Sequence, residues 1–150
     1  MPQSLTKNYV HITFSTRKRQ PLIDEGIKHE LYAYIGGICN NLESFPVEVG
    51  GHTDHMHVLC LLSKNIYLAK LVEEIKTHSS KWIKSKGEQY EQFYWQVGYG
   101  AFSIGPERVD EIQQYIHNQQ QHHRVKTFQD EYRELLKTFG VEYDERYVWD

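Results

Sequence analysis

Cysteine is scarce in this chain: its 150 residues hold two, Cys39 and Cys60. They form neither a C-x-x-C pair nor a disulfide framework, which excludes a cysteine-stapled scaffold and fits a reducing, cytoplasmic setting. Proline is rare as well, with four residues, so no proline-rich spacer is present. No apolar run approaches the roughly 18 residues of a spanning helix, so no membrane role is expected. Met1 to Lys7 lacks the apolar stretch of a secretory signal. A G-x-x-x-x-G-K-[S/T] phosphate loop is absent, so no nucleotide site of that kind is expected. A large net charge is missing too: 17 Lys and Arg face 20 Asp and Glu, giving −3, which argues against a generic polyanion binder. The remainder, 39% hydrophobic and 25% charged, is the composition of one ordinary globular domain.

Two residue types are plentiful, with 9 His and 11 Tyr. The charge is also unevenly spread. Residues 1–104 carry a net +1, and residues 105–150 carry −4. Within the first part, Lys64 to Lys86 holds six Lys against Glu73 and Glu74, and Arg17-Lys18-Arg19 forms a second basic cluster. Local patches of this kind, more than the total, set the field a phosphate backbone feels. Solvated lysine-rich surfaces would look the same.

The hydrophobic pattern predicts the elements. Tyr9 to Phe14 alternates and is rich in β-formers, a first strand. Apolar residues at Ile23, Ile27, Leu31, Tyr34, Ile35 and Ile38 mark a helix ending near Leu42. Phe45 to Val49 reads as a strand, followed by a turn at Gly50 to Asp54. His55 to Leu62 is apolar nearly throughout, hence a central strand. A helix over about Tyr67 to Lys84 places Leu68, Leu71, Val72, Ile75, Ser79, Trp82 and Ile83 on one face. Phe93 to Phe102 reads as a fourth strand interrupted by Gly98 and Gly100. Pro106 opens a helix running to about His123, and a last helix covers about Phe128 to Phe139. The order β-α-β-β-α-β then helices predicts an α+β fold of the ferredoxin-like, RRM-like kind. Its antiparallel sheet carries helices on one face and leaves the other open for a site.

His55-Met56-His57 is the most informative triplet. On a strand, residues i and i+2 share a face at roughly 6–7 Å between Cα atoms. Both imidazoles can therefore approach one divalent cation while Met56 enters the core. His52 and Asp54 read as turn formers. On the helix after Pro106, Tyr115 lies beside the Ile112 and Ile116 stripe, and Gln119 follows one turn later on the same side. A phenol with an ordinary pKa near 10 needs activation to attack anything. A nearby cation that polarises a phosphoryl oxygen supplies it.

His-hydrophobic-His on a strand followed by Tyr-x-x-x-Gln on a late helix resembles the single-tyrosine HUH transposases of the insertion-sequence-200-like group. Tyr9 to Thr16, Asp54 to His57, Ser79 to Trp82, Trp95 to Phe102, Tyr115 to Gln119 with His122-His123, and Tyr143 to Tyr147 are also similar to that family. The resemblance implies one HUH domain over 1–150, with a core of about 6–125 and a C-terminal helix and tail over about 126–150. It implies a C-terminal helix bearing the tyrosine. It implies that His55, His57 and Gln119 hold Mg²⁺ or Mn²⁺, with His122 in reserve for Gln119. Tyr115 would attack the scissile phosphate, forming a 5′-phosphotyrosine in single-stranded DNA that carries hairpin ends. A homodimer that shares the tyrosine helix between subunits is also implied. Arg17, Lys18, Arg19, Lys76, Lys81 and Tyr99 are the expected DNA contacts. Two other readings compete: a non-catalytic RRM-like module that binds single strands, suggested by Gly98 to Phe102, and a metal-dependent phosphodiester hydrolase.

Overall fold

A computed structural model describes residues 2–119 and 126–150. Four strands, β1 (Tyr9–Ser15), β2 (Phe45–His52), β3 (His55–Leu61) and β4 (Gly100–Ile104), form one antiparallel sheet in the order β2-β3-β1-β4. Among the described residues the α-helices are α1 (Lys28–Asn41), α2 (Leu68–Lys84), α3 (Val109–His117) and α4 (Phe128–Thr138). The ferredoxin-like expectation is met, with β1 and β3 central. β2 runs three residues beyond the predicted strand, so the hairpin turn contracts to Thr53 and Asp54.

Strand alternation sorts the side chains of β1 and β3. Val10, Ile12, Phe14, Met56, Val58 and Cys60 point to one face and pack with Leu31, Ile35, Leu71, Ile75 and Ile83 of α1 and α2. Burying each such aliphatic side chain contributes about 1.5–3 kcal/mol. Met56 is wholly buried there, as its position between two histidines predicts. His11, Thr13, Ser15, His55 and His57 occupy the alternate positions and are buried too.

That second burial overturns the expectation of an open face. α3 lies over β2, where Ile112 and Ile116 pack with Leu59 and Ile104. α4 lies over β4, where Phe128, Tyr132 and Leu136 pack with Phe102. Both approaches are close. A Cβ on Gly100 would meet the Tyr132 ring at 2.6 Å and displace it, and one on Gly50 would meet Ile116 at 3.1 Å, a tight contact. The tyrosine expected on the C-terminal helix belongs to α3 instead, the helix before it.

The predicted fourth strand also divides. Trp95 makes one bridge to Thr16, and regular pairing starts only at Gly100. The Lys76 ammonium explains the gap: it donates to the carbonyls of Gln96, Val97 and Gly98 at 2.8, 3.1 and 2.6 Å. These acceptors are satisfied by a side chain rather than by a neighbouring strand.

The acidic, aromatic tail is tied back to the body. Gly98 N–H donates to the Asp150 carbonyl at 2.8 Å, and the Trp149 ring lies 5.9 Å from that of Tyr132. No described helix is long and apolar enough to cross a membrane.

Candidate active site

The site lies between the sheet and the two later helices. β3 supplies His55 and His57, both with no solvent exposure. The hairpin turn supplies Asp54, α3 supplies Tyr115, its C-terminal extension supplies Gln119, α4 supplies Glu131, and β1 supplies His11. The four residues expected to carry the chemistry are therefore brought together within one chain. His122 falls outside the described residues.

His55 is held at both ring nitrogens. Nδ1 lies 2.8 Å from the Asp54 carboxylate, and Nε2 lies 3.0 Å from Gln119 Oε1 and 3.6 Å from Glu131 Oε1. Its ring stacks on Phe128 with centroids 4.7 Å apart. Asp54 accepts only if Nδ1 carries a proton, and in a neutral ring that leaves a lone pair on Nε2. Two oxygen acceptors then face this lone pair. A convergence of lone pairs suits a cation.

His57 is held in the same way. Nε2 is 2.9 Å from Glu131 Oε1, and Nδ1 is 2.7 Å from His11 Nε2. His11 itself is 1% exposed, and its Nδ1 has no hydrogen-bond partner. Burial first, then the neighbouring His57, lowers the His11 pKa to about 3, with Glu131 opposing. It stays neutral, so its Nε2 can accept a hydrogen bond from His57 Nδ1–H or donate one to His57 Nδ1. The first arrangement leaves His57 Nε2 free to bind metal.

The tyrosine faces this cluster. Its ring is edge-on to His57 at 5.8 Å and to His11 at 6.4 Å between centroids. Its hydroxyl donates to Glu131 Oε2, which also accepts from the Gln119 amide at 3.1 Å. Burial, followed by the Glu131 charge, raises the Tyr115 pKa well above its ordinary value. In this arrangement Tyr115 is held as the neutral phenol.

His55, His57 and Glu131 place three ligand atoms within 4.8 Å of one another. Two imidazoles, a carboxylate oxygen and an amide oxygen form a donor set that fits a divalent cation of hard to borderline character.

The family profile described as "Transposase IS200 like" matches residues 4–119. The chain belongs to the IS200-like transposases. Two solved structures share the fold of this transposase. A candidate transposase from Deinococcus radiodurans R1 is 20% identical, with a TM-score of 0.62 over 79% of this chain and 98% of the other. A REP-associated tyrosine transposase bound to a REP hairpin is 15% identical, with a TM-score of 0.59 over 82% of this chain and 73% of the other. No curated protein matches the transposase sequence.

Two members of the buried cluster escaped sequence reasoning. His11 was legible in principle, since the alternation of Tyr9 to Phe14 puts it on the face opposite Ile12. Glu131 left a fainter signal, a carboxylate set among Phe128, Tyr132, Leu135 and Leu136 on an otherwise apolar stripe. Asp54, read as a turn former, is that and also a partner of His55.

The expected DNA contacts lie elsewhere. Arg17, Lys18 and Arg19 form a short 3₁₀ turn after β1. The Arg17 guanidinium sits 4.3 Å from the Tyr94 ring centroid, and Lys84 covers the same ring at 4.0 Å. Lys81 is exposed on α2. Lys76 is committed to backbone carbonyls, and burial lowers its pKa to about 8. Its ammonium is 5.8 Å from the Tyr99 ring, which is 36% exposed.

Proposed function

We propose that this transposase cleaves and rejoins single-stranded DNA at hairpin-bearing ends, with Tyr115 as the nucleophile. The observation that carries the reading is the convergence of Tyr115 from α3, and of Gln119 just beyond its end, on His55 and His57 from β3. Tyr115 Oη gives up its phenol proton and forms a bond to phosphorus, the bond from phosphorus to the 3′ oxygen breaks, and that oxygen takes up one proton and leaves as a 3′-hydroxyl. The product is a 5′-phosphotyrosine. The link keeps the phosphodiester energy, so the reverse attack reseals a strand without ATP.

His55, His57 and Gln119 hold a divalent cation, Mg²⁺ or Mn²⁺, which when bound polarises the phosphoryl oxygen and stabilises the developing charge. Asp54 and His11 orient the two imidazoles. Arg17, Lys18, Arg19, Lys81 and Tyr99 offer charge and ring faces to a strand, with Lys76 shaping the backbone beside Tyr99. Two copies of the chain associate, although each has a tyrosine beside its own histidines. The hairpin on the REP-associated neighbour supports a hairpin substrate here.

The test is a hairpin oligonucleotide labelled at either end, incubated with the full chain and Mn²⁺. Wild type should capture the 5′-phosphate fragment covalently, and Tyr115→Phe should capture none. Binding without cleavage would favour the single-strand-binding module, and cleavage surviving in Tyr115→Phe would favour a hydrolase. Light scattering checks the dimer, for which a monomeric mass with full transfer activity is the contrary result.

A further inference from the structure

We propose that Glu131 is a protein ligand of the divalent cation and that its second oxygen holds Tyr115 against the metal site. This rests on the reading above and adds a residue of α4 to it, from a segment beyond the family match at residues 4–119. Glu131 is 1% exposed. A carboxylate is almost never buried so fully unless charge or hydrogen bonds compensate it.

The two oxygens of Glu131 do different things. Oε1 faces the histidines, 2.9 Å from His57 Nε2 and 3.6 Å from His55 Nε2. Adjacent ligands around an octahedral cation with bonds of 2.0–2.1 Å stand about 3 Å apart, and these separations bracket that value. Oε2 accepts from the Tyr115 hydroxyl and the Gln119 amide. One carboxylate thus spans the cation donors and the nucleophile. It is the only carboxylate among the described residues to form a metal-capable group with both histidines.

The surrounding residues fix its position. Phe128, one turn earlier on α4, stacks on His55, and Tyr132, the next residue, packs against β4 at Gly100. The Thr127 hydroxyl caps the helix by accepting from Asp130 N–H at 3.1 Å, which sets where the first turn begins. Glu131 therefore reaches the histidines from a helix whose start and packing are both determined. A neutral amide at this position would keep the shape and lose the charge that a divalent cation requires.

The experiment is an Mn²⁺ titration of the full chain without DNA, reading free Mn²⁺ by electron paramagnetic resonance. Glu131→Gln should weaken Mn²⁺ at least tenfold, and His57→Ala should weaken it as much or more. Wild-type affinity in Glu131→Gln, with His57→Ala impaired, overturns the Glu131 assignment and leaves the histidine site standing. No Mn²⁺ binding by wild type, or binding unaffected by His57→Ala, overturns the metal reading itself.

If Glu131→Gln fails to fold, wild-type protein labelled with ¹³C at the glutamate carboxyls gives the answer. Substoichiometric Mn²⁺ should broaden one buried glutamate signal ahead of the rest, and uniform broadening overturns the assignment. The hold on Tyr115 has its own readout. At saturating Mn²⁺, Glu131→Asp keeps the charge on a shorter arm and should slow covalent capture of a hairpin more than tenfold. An unchanged capture rate overturns that second role.

Discussion

The two faces of one sheet invite comparison, because β1 and β3 build both with alternate residues. On one face Ile12, Phe14, Met56 and Val58 meet α1 and α2 in an apolar core. On the other, one residue away in sequence each time, His11, Thr13, His55 and His57 are buried just as completely. The apolar face needs only shape and volume, since its driving force is non-directional. The histidine face must satisfy each polar atom with a partner at a fixed angle. The difference teaches that equal burial serves stability on one side and chemistry on the other.

The sharpest way to break this contrast is a pair of neighbours. His57→Ala should reduce covalent capture of hairpin DNA by about a thousandfold or more, some 4 kcal/mol in activation free energy. Hairpin affinity, read by gel shift, should stay within a few fold. Equal loss of binding and capture would show that the histidine face has a general structural role. Met56→Ala, one residue earlier, should lower stability by about 2–5 kcal/mol in urea unfolding. Capture at a temperature where the variant is folded should be nearly unaffected.

A smaller effect is expected at His11, which acts only through His57. His11→Phe should weaken Mn²⁺ about tenfold, the range seen when a metal-bound histidine loses its supporting partner. His11→Asn, which can still hydrogen-bond His57 Nδ1, should recover part of that loss. Equal affinity in both variants would reduce His11 to a space-filling role.

The smallest effect concerns a cation on the apolar side, where Lys76 lies 5.0 Å from the Phe14 ring. Burial lowers its pKa from 10.5 to about 8. Between those values the unfolded chain binds the proton and the folded chain does not, so stability should rise as pH increases through this window. With part of the ammonium open to solvent, the gain is on the order of 1 kcal/mol at most. Comparing urea midpoints at pH 7.5 and 10 for wild type and Lys76→Met checks the sign. A rise of the same size in both proteins would assign it to other groups.

Much of this arrangement was legible in the residues themselves. The alternation of His55-Met56-His57 placed both imidazoles on one face, and the Tyr115–Gln119 spacing placed phenol and amide on one side of a helix. The apolar run of β3 marked a central strand. The fourth strand was misjudged at its start because Lys76, 20 residues from Gln96, takes the carbonyls that a neighbouring strand would otherwise engage. The face was expected to be open because nothing in the Phe128 to Phe139 stripe says which surface that stripe will cover.

Sequence alone determined what depends on short-range periodicity: which residues share a face, and which side chains can meet one helical turn apart. The tertiary structure decided the rest. His57 and Glu131 lie 74 residues apart, and His57 and His11 lie 46 apart. No local pattern links such positions, because their contact depends on how strands pair and on where α4 packs. The histidine pair was written in a strand, while its carboxylate and its supporting imidazole came from the packing of the whole chain.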